Sequence, residues 1–247
     1  MRHIRNVVYQ KWYRGFESSR LRMKFTASLN LIFGHSEKVD GPMKNNLTNQ
    51  RAFFERKNLN TRKIINAQLT HGNNVLIIDS QTEKNTLTDC DALITVDKNC
   101  LLTLTVADCL PIYFYDQQKQ VVALAHAGWK GVLNGIAQKT VLSLINNFNC
   151  NPADIKIFIG PHIQKCHFEV QDDVASQFAS KYVIKTNGKK YIKLANAVKD
   201  QLIKTGILAN NISISPECTY CLNNKYFSWR REHDKILKTM IAYIGLN

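Results

Sequence analysis

The segment that most constrains the fold is an apolar run over residues 100–115, which Asp108 and Pro111 interrupt. A short apolar run bounded by turn residues is typical of strands buried in a sheet. The run therefore predicts one or two buried strands, and the β-rich segment 121–126 predicts another. No apolar stretch reaches the ~18 uncharged residues that a membrane-spanning helix needs, so we expect no membrane partner.

Helical and strand patterns alternate along the rest of the chain, without a strict strand–helix–strand rhythm. We therefore expect the α/β (α+β) class, folded as a single domain with mixed β-sheets. Apolar residues at helical spacing predict helices over residues 47–57, 132–148, 172–181, 193–206 and 234–244. β-rich runs between turn residues predict strands over residues 63–69, 75–79, 92–96, 155–159 and 212–215.

Residues 1–23 are set apart because they are rich in Arg and contain a single acid, Glu17. They lack the Ser-rich, amphipathic character of a transit peptide. We expect a poorly ordered basic extension, with Met23 as an alternative start, before a catalytic domain at residues 24–247. The number of cysteines, seven, is odd, and the sequence shows no secretory signal. Both features predict reduced thiols and a cytoplasmic location.

The formal net charge of +14 favours an anionic partner, either a nucleic acid or a small substrate. Lys is spread along the whole chain, and no dense Lys/Arg block is interleaved with aromatic residues. This distribution is typical of a solvated surface, so we expect no nucleic-acid partner.

Three residues are candidate metal ligands because each lies at a predicted strand edge beside small or turn residues. His71 precedes Gly72, Cys109 lies two residues before Pro111, and His126 ends a β-rich run. Three His or Cys ligands with one open position describe a catalytic zinc site, where bound water has a pKa of about 7. A lone cysteine on an apolar strand is more often a core residue, and a lone histidine at a strand end is more often a turn residue, so the residues alone leave both interpretations open.

Four blocks resemble the signature of the laccase-domain family, once named multicopper polyphenol oxidoreductases and now usually read as zinc-dependent purine nucleoside phosphorylases. The resemblance covers roughly residues 24–245, and the blocks lie at residues 68–72, 105–111, 125–131 and 159–170. It implies a single-domain layered sandwich, with mixed sheets flanked by helices. It also implies that His71, Cys109 and His126 bind the metal, because they match the family's ligands.

The same resemblance implies an activity and its partners. The activity is phosphorolysis of adenosine, inosine and methylthioadenosine, with hydrolytic deamination of adenosine. Purine nucleosides and phosphate are the implied partners and zinc the implied cofactor; copper, which binds N and S ligands tightly, is an alternative occupant of the site. Residues 36–38 correspond to a basic block of the family, which assigns Lys38 to phosphate or substrate.

Five further residues are candidates for the site. The turn that starts at Gly128 opens a predicted helix, whose backbone N–H groups suit an anion, and Lys130 adds charge there. His162 follows a predicted strand and is placed in the pocket lining. Asp108 and Glu169 are the acids nearest the motif residues and are assigned to proton transfer. Asp108 is alternatively a residue that orients a metal ligand.

Two other enzyme classes remain open at this point. A copper-dependent polyphenol oxidase needs many His ligands, whereas this chain has seven His residues and no His-x-His pair. A cytosolic amidase that edits a peptidoglycan precursor would use the same metal to hydrolyse an amide. The pair Cys218 and Cys221 has no second Cys-x-x-Cys partner in the sequence, so it predicts structural thiols.

Overall fold

The computed structural model describes residues 31–79, 81–233 and 236–247, so the predicted extension at residues 1–23 lies outside it. No helix in these ranges is long and apolar enough to cross a membrane. The strands are β1 Leu31–His35, β2 Lys63–Ala67, β3 Val75–Ile78, β4 Thr86–Leu87, β5 Ala92–Thr95, β6 Cys100–Val106, β7 Leu110–Asp116, β8 Val121–Ala127, β9 Lys156–Ile159, β10 Glu169–Val170, β11 Val183–Thr186, β12 Lys189–Ile192, β13 Ile212–Ile214 and β14 Met240–Leu246. The helices are α1 Leu47–Arg56, α2 Trp129–Leu133, α3 Ile136–Phe148, α4 Asp172–Ala175, α5 Leu194–Lys204 and α6 Trp229–Glu232.

Two mixed sheets form the centre of the fold. The five-stranded sheet has the order β1–β14–β6–β2–β4, and the six-stranded sheet has the order β13–β9–β7–β8–β5–β3. A small antiparallel sheet, β10–β12–β11, completes the described strands. Both large sheets combine parallel with antiparallel pairs.

The layers follow from the side-chain alternation of the buried strands. In β7, Ile112 and Phe114 pack into the core shared with α3 and α5. Tyr113 points the other way, into the core between the two sheets. On the far face of the five-stranded sheet, Phe53 and Phe54 of α1 pack against β6 and β14. The predicted α/β sandwich of mixed sheets flanked by helices is therefore confirmed.

The C-terminal prediction was wrong: residues 234–244 were expected to form a helix, but the chain ends in strand β14. This strand pairs with β1 on one side and β6 on the other, and all its residues are buried. A strand covered on both faces shows no period-2 alternation, so its continuous apolar run resembles a buried helix.

Two predicted helices are shorter than expected. The helix expected over residues 132–148 divides into α2 and α3 at Gly135, whose φ of +73° is left-handed and ends a helical turn. The helix expected over residues 172–181 is a single turn, α4, followed by a 3-10 turn at Ser180–Tyr182.

Candidate metal centre and substrate cavity

His71, Cys109 and His126 come together at one edge of the sandwich. His71 lies in the loop after β2, Cys109 in the turn between β6 and β7, and His126 near the end of β8. Their donor atoms all lie within 4.8 Å of one another, and the two imidazole rings meet edge to face with centroids 4.8 Å apart. His126 is buried, Cys109 is partly buried and His71 is exposed. Solvent therefore reaches the group at His71.

Gly128 leaves the space in which the three side chains meet. A methyl group on its Cα would lie 3.1 Å from the Cys109 sulfur and 3.2 Å from the His71 ring. Its φ of −71° is open to any residue, so the requirement for glycine here is one of space. Gly128 therefore contributes through its missing side chain.

Asp91, just before β5, fixes two of the three candidate ligands. Its carboxylate accepts hydrogen bonds from the backbone N–H groups of His71 and Gly72, at 2.9 and 2.8 Å, and from the Thr70 hydroxyl at 2.7 Å. These bonds hold His71 at a φ of +60°, a region that non-glycine residues seldom adopt. The same carboxylate lies 3.1 Å from His126 Nδ1. Because Nδ1 faces Asp91, Nε2 remains to bind a metal.

Electrostatics favour a thiolate at this centre. Burial by itself would raise the pKa of Cys109, but the nearby His126 and His71 outweigh it and lower the pKa to about 6. Burial would likewise lower the pKa of His126, but Cys109 and Asp91 raise it to about 9. The Asp91 pKa is lowered because hydrogen bonds from His126, Thr70 and Gly72 overcome the effect of burial.

The donor set fits a bound metal ion. A thiolate and two imidazoles are ligands that Zn²⁺ and copper accept, and a carboxylate behind a ligating histidine is the usual supporting arrangement. Three protein donors leave a fourth position toward the open side, as in catalytic rather than structural zinc sites. His71, Cys109 and His126 are the residues that would hold the ion.

A cavity of about 610 Å³ opens at this centre. This volume lies within the range of about 300–1,000 Å³ that small-molecule sites occupy. Aromatic rings and acids share its wall with one guanidinium, that of Arg230. The lining includes His71, Cys109, Gly128, Trp129, Phe168, Glu169, Asp173, Trp229 and Arg230.

Asp108 lies at the centre of a hydrogen-bond network beside Cys109. It adopts a φ of +86° in the β6–β7 turn and is 7% exposed. Its carboxylate accepts hydrogen bonds from the Thr219 hydroxyl, the Ser228 hydroxyl and the backbone N–H of Arg230, at 2.6, 3.0 and 2.7 Å. These bonds tie the cavity wall that carries α6 to the residue next to Cys109. Asp108 also belongs to the cavity lining.

The other predicted site residues are dispersed. Glu169 lines the cavity, 2.9 Å from Lys189 Nζ. Lys38 is not in the lining: its ammonium lies 3.0 Å from Glu232 and 3.1 Å from Asn223. Lys130 is also not in the lining, and its ammonium lies 5.5 Å from the centroid of the Trp129 ring.

His162 is also outside the lining, which corrects its predicted position. It is 2% exposed, and its Nδ1 lies 2.8 Å from the Gly160 carbonyl oxygen. Burial lowers the pKa of His162 to about 4. A neutral, buried ring in this position supports the turn after β9.

Asp91 was not among the predicted site residues. It lies directly before a predicted strand. An acid at such a position can cap the strand or orient a ligand, and this position was the signal that could have identified it.

Trp229 and Arg230 lie in a block, residues 226–231, that also matches the family, but neither was predicted to have a role in the site. They lie 59 or more residues after the other motifs in the chain. Hydrogen bonds from the Arg230 backbone to Asp108 and from its guanidinium to the Glu169 carbonyl oxygen hold α6 at the cavity.

Comparison with known proteins places this geometry in a family. Residues 22–247 match the family model described as multi-copper polyphenol oxidoreductase laccase. A Clostridium acetobutylicum protein named purine nucleoside phosphorylase is 30% identical over 88% of this chain and 89% of its own length. A Staphylococcus aureus protein with the same name is 34% identical over 71% of this chain and 70% of its own length.

Solved structures agree with these sequence matches. The crystal structure of YlmD from Geobacillus stearothermophilus superposes with a TM-score of 0.79 at 26% identity, covering 88% of this chain and 92% of that one. The hypothetical protein YfiH from Bacillus licheniformis gives a TM-score of 0.75 at 30% identity, covering 81% of this chain and 80% of that one. The chain therefore belongs to the multi-copper polyphenol oxidoreductase laccase family.

Proposed function

We propose that this protein is a zinc-dependent purine nucleoside phosphorylase. The observation that carries the proposal is the three-ligand centre of His71, Cys109 and His126, which opens into a cavity large enough for a nucleoside. The names of the relatives from Clostridium acetobutylicum and Staphylococcus aureus support the same activity.

The walls of the cavity suit a purine and an anion. Trp229 exposes 48% of its surface and lies in the lining with Phe168, so an aromatic face is available for a base. Stacking of a base on an aromatic ring contributes about 1–3 kcal/mol. Arg230 is the cation of the lining, and a guanidinium binds phosphate through paired hydrogen bonds. We assign the phosphate contact to Arg230, because Lys38 and Lys130 lie outside the lining.

In phosphorolysis, a phosphate oxygen forms a bond to the ribose C1′ while the bond from C1′ to the base nitrogen breaks. The departing base takes up a proton, and ribose 1-phosphate is the second product. A bound zinc ion would supply Lewis-acid stabilisation of developing negative charge. We assign the role of proton donor to Glu169, a carboxyl group of the cavity lining. Its side chain is partly exposed and lies 2.9 Å from Lys189 Nζ.

Adenosine deamination belongs to the same proposal as a second reaction of the centre. It replaces the exocyclic amino group by an oxygen from water, releases ammonia and needs no phosphate. Zinc deaminases activate water with a metal held by His and Cys ligands and use a carboxylate as acid and base. The two reactions therefore share the metal and the base-binding wall, but only phosphorolysis needs the anion contact of Arg230.

The test is the variant Cys109→Ala, with Cys150→Ala as its matched control. Cys150 is a buried core cysteine that is not in the cavity lining. We expect Cys109→Ala to lose the zinc of this centre and at least about 100-fold of its base release from inosine, while remaining folded. Cys150→Ala should keep the zinc and the activity with lower thermal stability. Full turnover and unchanged zinc content in Cys109→Ala would overturn the proposal.

The same purified protein discriminates the other readings. Polyphenol oxidation requires a blue-copper centre and a coupled copper cluster built mainly from His. Among the described residues, the group at this cavity brings together only His71 and His126 with Cys109. Hydrolysis of a peptidoglycan-precursor amide without base release from nucleosides would instead favour the amidase. We expect base release to dominate over both.

A further inference from the structure

Three cysteines and a histidine that the cavity does not use meet in a second cluster. Cys166 and His167 come from the loop between β9 and β10, whereas Cys218 and Cys221 come from the loop between β13 and α6. The Cys166 sulfur lies 3.7 Å from the sulfurs of both Cys218 and Cys221. His167 Nδ1 lies 3.2 Å from the Cys166 sulfur and 3.3 Å from the Cys221 sulfur. All four donor atoms fall within 4.8 Å of one another.

These separations are those of a tetrahedral zinc site. Zinc–sulfur bonds of about 2.3 Å at tetrahedral angles place two sulfurs about 3.8 Å apart, and a sulfur and a nitrogen about 3.6 Å apart. The observed spacings of 3.7 Å between sulfurs and 3.2–3.3 Å to nitrogen are close to both values. The sulfurs are too far apart for a disulfide, whose bond is about 2.05 Å.

The cluster is also not an ordinary piece of core packing. Cys166 and Cys221 are exposed, His167 is partly buried and only Cys218 is buried. Thiols turned toward one another at the surface bury little apolar area, so hydrophobic packing does not explain their convergence. The fold brings two further donors, Cys166 and His167, to the Cys-x-x-Cys pair from a segment about 50 residues earlier in the chain.

Surrounding residues hold the four donors in place. The His167 ring stacks on Tyr220, with centroids 4.0 Å apart and an interplanar angle of 16°. The backbone N–H of Gln164 donates to the Cys218 sulfur at 3.4 Å. Supporting contacts of this kind orient ligands in metal sites.

Arg231 adds positive charge and rigidity at the same place. Its Nη1 donates to the carbonyl oxygens of Thr219 and Tyr220, at 2.8 and 2.6 Å. These two residues lie between Cys218 and Cys221, so the guanidinium fixes the turn that presents both sulfurs. It also offsets the net negative charge that three thiolates and one Zn²⁺ would carry.

We propose that Cys166, His167, Cys218 and Cys221 bind a structural zinc ion, separate from the metal centre in the cavity. The ion displaces the three thiol protons into solvent and takes four protein ligands, which leaves no open position for chemistry. Thiolate-rich donor sets select zinc over hard cations. The bound ion would link the segment that leads to Phe168 and Glu169 with the segment that leads to Trp229 and Arg230.

The experiment measures zinc per chain in the full-length protein and in Cys166→Ser and Cys221→Ser, with Cys150→Ala as the control. We expect two zinc ions in the parent and the control, and one in each serine variant. Cys109→Ala should lose the other ion and keep this one, so the result is independent of the proposed function. Wild-type zinc content in both serine variants would overturn the inference.

Cobalt substitution provides a second readout that does not depend on stability. In Cys109→Ala, Co²⁺ bound at the cluster should give thiolate-to-cobalt charge-transfer bands and the visible spectrum of tetrahedral cobalt. Both features should disappear in Cys109→Ala combined with Cys221→Ser. A disulfide among Cys166, Cys218 and Cys221 in freshly purified protein, found by peptide mapping together with an absence of cluster zinc, would contradict the proposal.

Discussion

At the scale of single residues, Asp91 determines how two of the candidate ligands are presented. Its carboxylate accepts from the His71 and Gly72 backbone and faces His126 Nδ1. We expect Asp91→Asn to weaken zinc binding at the cavity by about 10–100-fold, the usual cost of losing a residue that orients a metal ligand. The measurement is a zinc titration against a competing chelator.

A matched control for this prediction is Asp79→Asn, which alters an exposed turn carboxylate that accepts from Gln81 and Thr82. This variant should bind zinc as tightly as the parent. An Asp91→Asn protein with parental zinc affinity would show that the carboxylate does not support the metal centre.

His35 gives the protein a predicted weakness in acid. Its Nε2 is buried, and burial lowers the pKa of the ring to about 4; Lys225 and Lys57 act in the same direction, while Glu217 and a hydrogen bond with the Ser36 carbonyl oppose them. The unfolded chain, with a His pKa of about 6.5, therefore binds more protons than the folded one below that pH. Stability is fully present above pH ~6.5 and falls as the pH drops toward 4.

We expect the free energy of unfolding to fall by about 2 kcal/mol more in the parent than in His35→Leu between pH 7.5 and pH 5. Urea denaturation at the two pH values measures the difference. Because all other titrating groups are common to both proteins, parallel pH dependence would exclude His35 as the source.

At the scale of elements, the sequence predicts strands well where turn residues bound a short β-rich run, including the buried strands β5 to β8. The segments 63–69, 75–79 and 92–96 appear as β2, β3 and β5 within two residues. β14 was mistaken for a helix because neighbouring strands and layers bury all of it, and this tertiary cover leaves no local signal. The sequence did not predict the hairpin of β11 and β12. All but one of its strand residues are partly or fully exposed, so no alternation of apolar and polar residues marks the two strands.

The short helix α6 depends on Ser228, which precedes it. The Ser228 hydroxyl donates to Asp108 at 3.0 Å and accepts from the Arg231 N–H at 3.2 Å, and the residue is fully buried. We expect Ser228→Ala to lower the free energy of unfolding by about 1–3 kcal/mol, because it removes a helix cap and a hydrogen bond to a charged group. It should also raise the KM for inosine, since α6 carries Trp229 and Arg230.

Urea denaturation and steady-state kinetics on the same preparation measure both effects. Ser143→Ala, at a partly exposed position within the longer helix α3, is the control. It should change the free energy of unfolding by no more than about 0.5 kcal/mol and leave the KM unchanged. If Ser228→Ala is less stable but keeps the parental KM, the Ser228 cap stabilises the fold without contributing to the substrate site.

At the scale of the whole molecule, the cavity is a product of the long-range topology. The register that pairs Pro111 with His126 places the Cys109 turn beside the end of β8, and Asp91 at the start of β5 joins them. The strand-edge positions of His71, Cys109 and His126 made them candidates, and together with the family resemblance they predicted the convergence that the structure shows. The ion pair of Lys38 with Glu232, 194 residues away in the chain, could not be predicted from the sequence either.

The central claim is that this cavity transfers the ribosyl group of a purine nucleoside to phosphate. The most direct measurement follows hypoxanthine and ribose 1-phosphate released from inosine by the zinc-loaded protein as phosphate is varied. We predict that hypoxanthine release saturates with phosphate and that ribose 1-phosphate forms in equal amount, because each glycosidic bond broken is replaced by a bond to phosphate. Hypoxanthine release that is independent of phosphate and accompanied by free ribose, or no release at all, would contradict the account.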